Sequence, residues 1–482
     1  MIPVGLGTLS RIVLGLLSTM VAVRYLAAEA FGTLVLLEMV ATFLTVASGL
    51  GLDLSITRFI ISTDDEHYKR QLINTALCFR LFTILVVSLV VFIARPALST
   101  VFGSSLFLNL AIFVPLLFLL ESSGGLLKSV LQGFCLFRRI SVADFIAALV
   151  NFLLMIVFVL FMDRGILGLI CARVISLSLS CAFAYCSIPT KKQLELHFGI
   201  LKGVLAFGFP LQINDILTVL YQRADSLLIG ALLGPAEIAY YEIARKIPDS
   251  LVRLYEAFRS VYFPLLSRLF ALGEETKATK MLNHSTRWIS FLTIFGALIA
   301  LIFGNVVIGL LFSEKYLPSV PVFALLMVGL NLAFIEYTLG YSLVAIGDSD
   351  KPAIVNAVHT AVSLPSNISL IPIFGVVGAA LANVAGNLAS IPLDVLFLRR
   401  RRVNVKIEDF LKPILIFGAC WLLILFLKPD TFLKNISIVI LFLLTCVFLS
   451  VITKEDVVAI SREAKMTSFK ALQRLRSWST KA

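Results

Sequence analysis

Residues 238–265 read IAYYEIARKIPDSLVRLYEAFRSVYFPL, an apolar segment long enough to cross a bilayer that nevertheless carries seven charged side chains. At about 100° per residue, Glu242, Arg245, Lys246, Asp249, Arg253 and Glu256 share one arc of a helix, with Arg259 just beside it. The opposite face is apolar. Each ionised side chain facing lipid at mid-membrane costs about 2.5–3.5 kcal/mol, and each Leu or Ile offsets only about 0.3–0.6 kcal/mol. Such a helix cannot face lipid all round. Its charged stripe faces water or other protein, so the chain is expected to enclose a polar path through a membrane. Glu242 with Lys246 and Asp249 with Arg253 are also spaced i to i+4, which reads equally as a ladder of ion pairs.

The surrounding sequence agrees. Of 482 residues, 59% are hydrophobic and 15% charged, against about 25% charged in soluble proteins, and the mean hydropathy is +0.99. Windows of about 20 apolar residues fall near 6–26, 33–61, 72–94, 105–130, 141–162 and 166–188. A second set follows near 205–230, 237–266, 285–312, 320–345, 353–374 and 376–398, then 411–428 and 435–452. The expected fold is therefore an all-α polytopic membrane protein of about fourteen transmembrane helices. Arg11 ahead of an apolar run, with Ala28-Glu29-Ala30 beyond it, imitates a secretory signal. Removing that span would break the pairing of halves described next.

DRGILGLICARV (163–174) matches IFGVVGAALANV (373–384) at Gly165/Gly375, Gly168/Gly378, Ala172/Ala382 and Val174/Val384. A similar offset relates LQGFCLFRR (131–139) to VAIGDSDKP (344–352) and, weakly, RYLAAEAFG (24–32) to ALLGPAEIA (231–239). An even number of spans per repeat gives both halves one orientation, the pattern of parallel-repeat transporters with substrate bound between them. The expected organisation is an N-terminal six-helix lobe at 1–188, a second at 203–398, an additional helix pair at 411–452 and a basic tail at 453–482. With the N-terminus inside, inner segments hold twenty-five Lys and Arg and outer segments six. Under the positive-inside rule this places both termini in the cytoplasm. The net charge of +12 is then topology plus an electropositive interior, and nucleic-acid binding is not implied. The tail, with Phe469, Leu472, Leu475 and Trp478 among its cations, reads as an amphipathic helix on the membrane surface or as a disordered basic segment.

RYLAAEAFGTLVL, GLGLDLSITRF and ADSLLIGALLGPAEIAYYEIARKI, followed by VYFPLLSRL, VAIGDSDKP and LIPIFGVVGAALANV, together resemble the polysaccharide transporter branch of the multidrug/oligosaccharidyl-lipid/polysaccharide exporters. The resemblance covers about residues 5–400 and specifies the superfamily better than the substrate. It implies a flippase of the cytoplasmic (inner) membrane. Such a protein moves polyprenyl-pyrophosphate-linked oligosaccharide from inner to outer leaflet by alternating access, for cell-surface polysaccharide biosynthesis. The implied partners are that lipid-linked sugar, membrane lipids and a coupling proton or sodium ion, with room for a polysaccharide polymerase complex. No cofactor is implied. Related lipid II flippases carry a span-1 arginine in a setting like that of Arg11, and cations in spans 2 and 8.

Among the ten cations inside spans, arginine outnumbers lysine eight to two, which suits bidentate recognition of pyrophosphate. Arg11, Arg58, Arg253 and Arg259 are the first candidates for head-group contacts, with Arg223 and Arg245 next. Arg58 reads equally as a snorkelling interfacial residue. For ion coupling, Asp215 and Asp225 lie on span 7 with Gln212, Gln222, Arg223 and Ser226, and Asp225 also reads as charge compensation for Arg223. Asn356 stands where sodium-coupled relatives place an Asn, but Thr360 replaces the acid one turn on. Asp53, Glu121, Asp144 and Glu336 are other intramembrane acids, and His359 is a titratable neighbour.

No Walker loop, dinucleotide fingerprint, HExxH or nucleophile elbow is present, and the seven scattered cysteines lack CxxC spacing. The chain is expected not to be an enzyme. A same-fold drug exporter would favour an acid-dominated cavity, and a membrane glycan polymerase or ligase would need a larger outer loop than any here.

Overall fold

Among the described residues the apolar windows lie on helices, apart from a break within 33–61, and there is no strand. The structure is a computed structural model describing residues 2–190, 197–348, 350–427 and 432–451, without the side chains of 2–11, 211, 214, 221 and 432. The first half comprises α1 (Ile2–Tyr25), α2 (Ala28–Ala47), α3 (Leu52–Ile61), α4 (Glu66–Phe102), α5 (Ser105–Leu110), α6 (Val114–Gly133), α7 (Phe137–Ile156) and α8 (Gly165–Ser187). The second comprises α9 (Phe198–Leu232), α10 (Pro235–Ala271), α11 (Glu275–Leu311), α12 (Val320–Ile346), α13 (Lys351–Phe374) and α14 (Val376–Arg400). The pair α15 (Ile407–Leu427) and α16 (Phe432–Phe448) closes the series.

Among the described residues, ten helical segments are long and apolar enough to cross a membrane, and Ile12–Tyr25, Phe198–Pro210 and Leu433–Phe448 are shorter apolar helices. With the charged α10, of 37 residues, this is consistent with fourteen crossings. The basic tail expected at 453–482 lies outside the described residues.

The window at 33–61 was expected to be one span, and here the structure differs. The chain breaks between α2 and α3 at Leu50 and Gly51, with φ of 50° and 66°. A Cβ on Gly51 would sit 2.0 Å from the Gly208 carbonyl oxygen, so the backbones of the break and of α9 touch. An interrupted helix in a membrane leaves backbone groups that need partners. Gln212 supplies them: its Oε1 accepts from Gly51 N–H at 2.8 Å and its Nε2 donates to Val46 O at 2.5 Å.

By internal contacts the chain forms two compact units. The first is Met1–Leu251 with Asn305–Leu326 and Thr360–Ala385, and the second is Val252–Gly304 with Met327–His359 and Gly386–Ala482. In the first, α6 is the axis, packed by α2, α3, α4, α7 and α8. Small residues permit this. A Cβ on Gly133 would lie 2.9 Å from Ile60 Cβ, and one on Gly124 would lie 3.1 Å from Cys181 Sγ. Leu126, Leu127, Val130 and Leu131 of α6 join Leu52, Ile56, Leu72 and Ile73 in a buried cluster. The lipid-facing side is equally legible in α4, where Phe82, Leu85, Leu89 and Ile93 recur at helical spacing and are all exposed.

The internal repeat has matching geometry. Gly165 and Gly375 both take left-handed φ, 52° and 60°. Three residues on, Gly168 and Gly378 both sit where a Cβ would collide, 2.8 Å from Phe158 Cβ and 2.2 Å from Leu370 O. The helices α6 and α12 end alike. Cys135 and Gly347 are left-handed, and Leu136 N–H donates to Leu131 O as Asp348 N–H donates to Leu343 O. Asp348 then takes Arg401 of the basic linker in a two-point contact, through Nε at 2.7 Å and through Nη2. That guanidinium holds the Asp348 carboxyl below its ordinary range.

On the side that the Lys/Arg distribution assigns to the exterior, cations cap helix ends within the first unit. Lys315 Nζ donates to the carbonyls of Arg24 and Leu26 at the end of α1, and Arg24 Nη2 donates to Leu310 O at the end of α11. Beside them Tyr316 lies edge-on to Phe31 at 6.4 Å and to Tyr240 at 6.0 Å. The tightest approach is next to this cluster, where a Cβ on Gly32 would fall 1.6 Å from Pro235 O. Gly32→Ala must therefore push α2 away from the start of α10. It should lower stability in detergent by at least about 1–3 kcal/mol, whereas Gly203→Ala, with open space around it, should be neutral or stabilising by up to about 1 kcal/mol. Equal melting temperatures for the two variants would contradict this packing.

Candidate functional site

The charged stripe of α10 divides at Leu251, its N-terminal half lying in the first unit and its C-terminal half in the second. In the first half the charges meet those of α9. Arg245 Nη1 donates to both oxygens of Asp225 at 3.1 Å and to Ser226 Oγ at 3.2 Å. Its Nη2 donates to Gln222 O at 3.2 Å and lies 3.7 Å from Asp249. Tyr241 OH donates to Asp225 Oδ2 at 2.6 Å, and Ser226 Oγ donates to Glu242 Oε1 at 2.7 Å. Arg223 closes the network more loosely, 3.6 Å from Glu242 and 3.7 Å from Asp249. Two guanidinium groups thus face three carboxylates. Arg245 is 14% exposed, while Arg223 remains 41% exposed.

In the second unit the stripe is open. Arg253 and Glu256 are exposed. Arg259, 40% exposed, pairs with Glu256 through Nη2, donates from Nη1 to Tyr341 OH at 2.7 Å and has its guanidinium carbon 4.9 Å from the centre of the Tyr341 ring. Around it α10 and α12 share an aromatic seam. Tyr255 stacks on Phe334 at 4.6 Å and hydrogen-bonds Thr338 at 3.0 Å, and Tyr262 hydrogen-bonds Ser342 at 2.9 Å. This seam packs one face of α10 against α12, with Arg259 at its edge and Arg253 exposed.

The other nominated residues are scattered. Arg58, exposed, stacks 4.1 Å over Phe207. The Arg11 side chain lies outside the described residues. Asp215 is half-buried on α9. Asp53 is held by the buried Arg80 at 2.7 Å. Asn356 is exposed on α13. Of the remaining intramembrane cations, Lys128 pairs with Asp144 at 2.5 Å and Arg173 with Glu38 at 3.3 Å and Glu121 at 3.6 Å, while Lys246 is half-buried. Two polar residues escaped the sequence reading. Glu38 completes the Arg173 pair, and Asp394 of α14 is fully buried. A lone acid in an apolar helix gives no periodic signal unless the partner helix is known.

Arg245 and Arg259 are expected to behave differently. Arg245→Leu strands Asp225 in the packed interface and should cost about 3–5 kcal/mol, partly recovered when Asp225→Asn is added. Arg259→Leu, on an open face, should change the melting temperature little. A stable Arg245→Leu protein would contradict the enclosed network.

The chain is similar to known proteins along most of its length. A family model described as polysaccharide biosynthesis protein matches residues 21–321, and one described as lipid II flippase MurJ matches residues 212–454. A putative O-antigen transporter of Shigella flexneri is 23% identical over 69% of this chain and 81% of its own. A probable low-salt glycan biosynthesis flippase, Agl15 of Haloferax volcanii, is 25% identical, but the alignment spans only 34% of each chain. Among solved structures, lipid II flippase MurJ in an inward closed conformation superposes with a TM-score of 0.73 at 18% identity, covering 95% of this chain and 100% of that one. The chain therefore belongs to the polysaccharide biosynthesis protein family, within the polysaccharide transporter branch of the multidrug/oligosaccharidyl-lipid/polysaccharide exporters.

Proposed function

We propose that this multi-pass membrane protein is a flippase moving polyprenyl-pyrophosphate-linked oligosaccharide from the inner to the outer leaflet of the cytoplasmic membrane, with both termini inside. The observation that carries the reading is the set of guanidinium groups that helix packing leaves accessible. Arg58 and Arg253 are exposed, and Arg223 and Arg259 stay 41% and 40% open, although arginine in a membrane helix is costly unless it is paired or faces water. Planar guanidinium forks match phosphate oxygens in two-point contacts. Arg245 contributes by fixing α9 against α10. In this reading Arg58 and Arg223 of the first unit, Arg253 and Arg259 of the second, and Arg11, whose side chain lies outside the described residues, are each candidates for contact with pyrophosphate oxygens.

Arg259→Ala should abolish polymer delivery while the protein still inserts, with lipid-linked oligosaccharide accumulating on the inner leaflet. Lysine at that position should rescue only in part, because it loses the two-point geometry. Full polymer production by a well-expressed Arg259→Ala, Arg253→Ala double variant would sink the assignment.

Coupling to a proton or sodium gradient completes the proposal, with Asp215 and Asn356 as the more open candidates and Asp225 acting through its partner Arg245. One charge moved across the membrane is worth about 2.3 kcal/mol per 100 mV, enough to bias a two-state equilibrium about fifty-fold. In proteoliposomes carrying labelled lipid-linked sugar, an imposed gradient should speed appearance on the far leaflet, and Asp215→Asn should weaken the response. Flipping that ignores both gradients would make the protein a passive flippase.

A further inference from the structure

A cavity of about 870 Å³ lies at the start of α11, on the side that the Lys/Arg distribution assigns to the cytoplasm. None of the residues assigned to the pyrophosphate lines it. Thr276, Lys280, His284 and Arg287 recur every three to four residues and form one wall along α11. The other wall is the basic linker between α14 and α15. There Val403 and Val405 are buried, while the alternate residues Arg402, Asn404 and Lys406 line the cavity. Asn283 fastens this strip to α11, donating from Nδ2 to Asn404 O at 2.9 Å and accepting from Lys406 N–H at 3.0 Å. Both walls belong to the second unit.

Arg402 stands where a helix end ordinarily carries glycine. Past α14, Val403 N–H donates to Leu398 O at 3.1 Å and Arg402 N–H to Arg399 O at 2.9 Å, and Arg402 itself is left-handed at φ 62°. Backbone strain therefore accompanies the placement of this guanidinium. Lys280, Arg287, Arg402 and Lys406 bring four cations to the walls, against the two carboxylates of Glu275 and Asp409. Cations gathered around one space repel one another, and an entering anion relieves that repulsion. Two of the four are guanidinium groups, whose planar forks match phosphate oxygens. His284 adds a further donor: its Nδ1 accepts from Arg287 Nη2 at 3.2 Å, which leaves the hydrogen of the neutral ring on Nε2. Trp288 lies edge-on to His284 at 6.4 Å, and from Ile289 onward α11 is apolar. Tryptophan favours the membrane–water boundary, so the cavity stands at headgroup depth.

We propose that this cavity is a second anion site, binding a phosphate-bearing ligand through Arg287, Arg402 and Lys406. Its volume falls within the range of about 300–1,000 Å³ usual for small-molecule pockets. An anionic phospholipid of the adjoining leaflet and a soluble phosphate present the same chemistry, and the depth favours the phospholipid. The site does not rest on the flippase reading.

The test uses the full chain purified without lipid-linked sugar, so it stands apart from any failure of flipping. Native mass spectrometry in detergent compares retention of dioleoylphosphatidylglycerol with that of zwitterionic dioleoylphosphatidylcholine, and titration calorimetry follows inorganic phosphate. The wild type should retain phosphatidylglycerol preferentially. An Arg402→Gln, Lys406→Gln double variant, altered only at exposed positions, should bind at least about tenfold more weakly, because charge-assisted hydrogen bonds are lost. Lys277→Gln, exposed on the same end of α11 but outside the cavity, should bind as the wild type does. Phosphate binding with this variant pattern, without preference for phosphatidylglycerol, would assign the site to a soluble ligand. The proposal is overturned if neither probe binds saturably, if the double variant matches the wild type, or if Lys277→Gln weakens binding as much as the double variant.

Discussion

The contact between Arg245 and Asp225 governs what the rest of the membrane domain can do. A helix carrying seven charges is compatible with a bilayer only if some neighbour absorbs part of them, and α9 offers Asp225, Ser226 and the Gln222 carbonyl within 3.2 Å. Because Arg245 uses nearly all its donors there, the N-terminal half of α10 is a fixed structural element. The more exposed cations lie farther along the helix, at Arg253 and Arg259. One helix therefore serves two purposes in sequence, anchoring first and presenting charge afterwards.

The same rule operates on a smaller scale elsewhere. Arg80 is 1% exposed because Asp53 and Ser122 meet its two terminal nitrogens. Arg173 sits between Glu38 and Glu121. The break between α2 and α3 is a neutral version, in which the Gln212 amide donates to and accepts from backbone groups that would otherwise be stranded. In each case a polar group on one helix fixes the rotation of its neighbour, a specificity that apolar packing against apolar lipid cannot supply.

The helical class and the placement of most helices were legible because twenty-residue apolar windows are dictated by bilayer thickness. The repeat was legible because Gly165 and Gly375 are required by the same left-handed turn. Which charges face one another was not. At 100° per residue Arg245 and Arg253 occupy the same arc of α10, yet one is enclosed and the other exposed, because only the N-terminal half meets Asp225. The sequence offers Asp225 as charge compensation for Arg223, but it is Arg245 that takes it. Asp394 went unnoticed because its environment is assembled from α12 and α14, some sixty residues apart. The break after Ala47 was hidden because Gly49-Leu50-Gly51 is apolar and continues the hydrophobic window without interruption.

The shared network of α9 and α10 has a consequence for biogenesis. Neither helix can partition alone from the insertion channel into lipid, since α10 would expose Arg245 and Asp249, and α9 would expose Arg223 and Asp225. Joined by the two-residue turn Leu233-Gly234, they reach the channel in immediate succession and can neutralise one another before lateral release. The smallest unit able to leave for the bilayer is the hairpin, so a ribosome stalled between the two helices would hold α9 at the channel until its partner emerged.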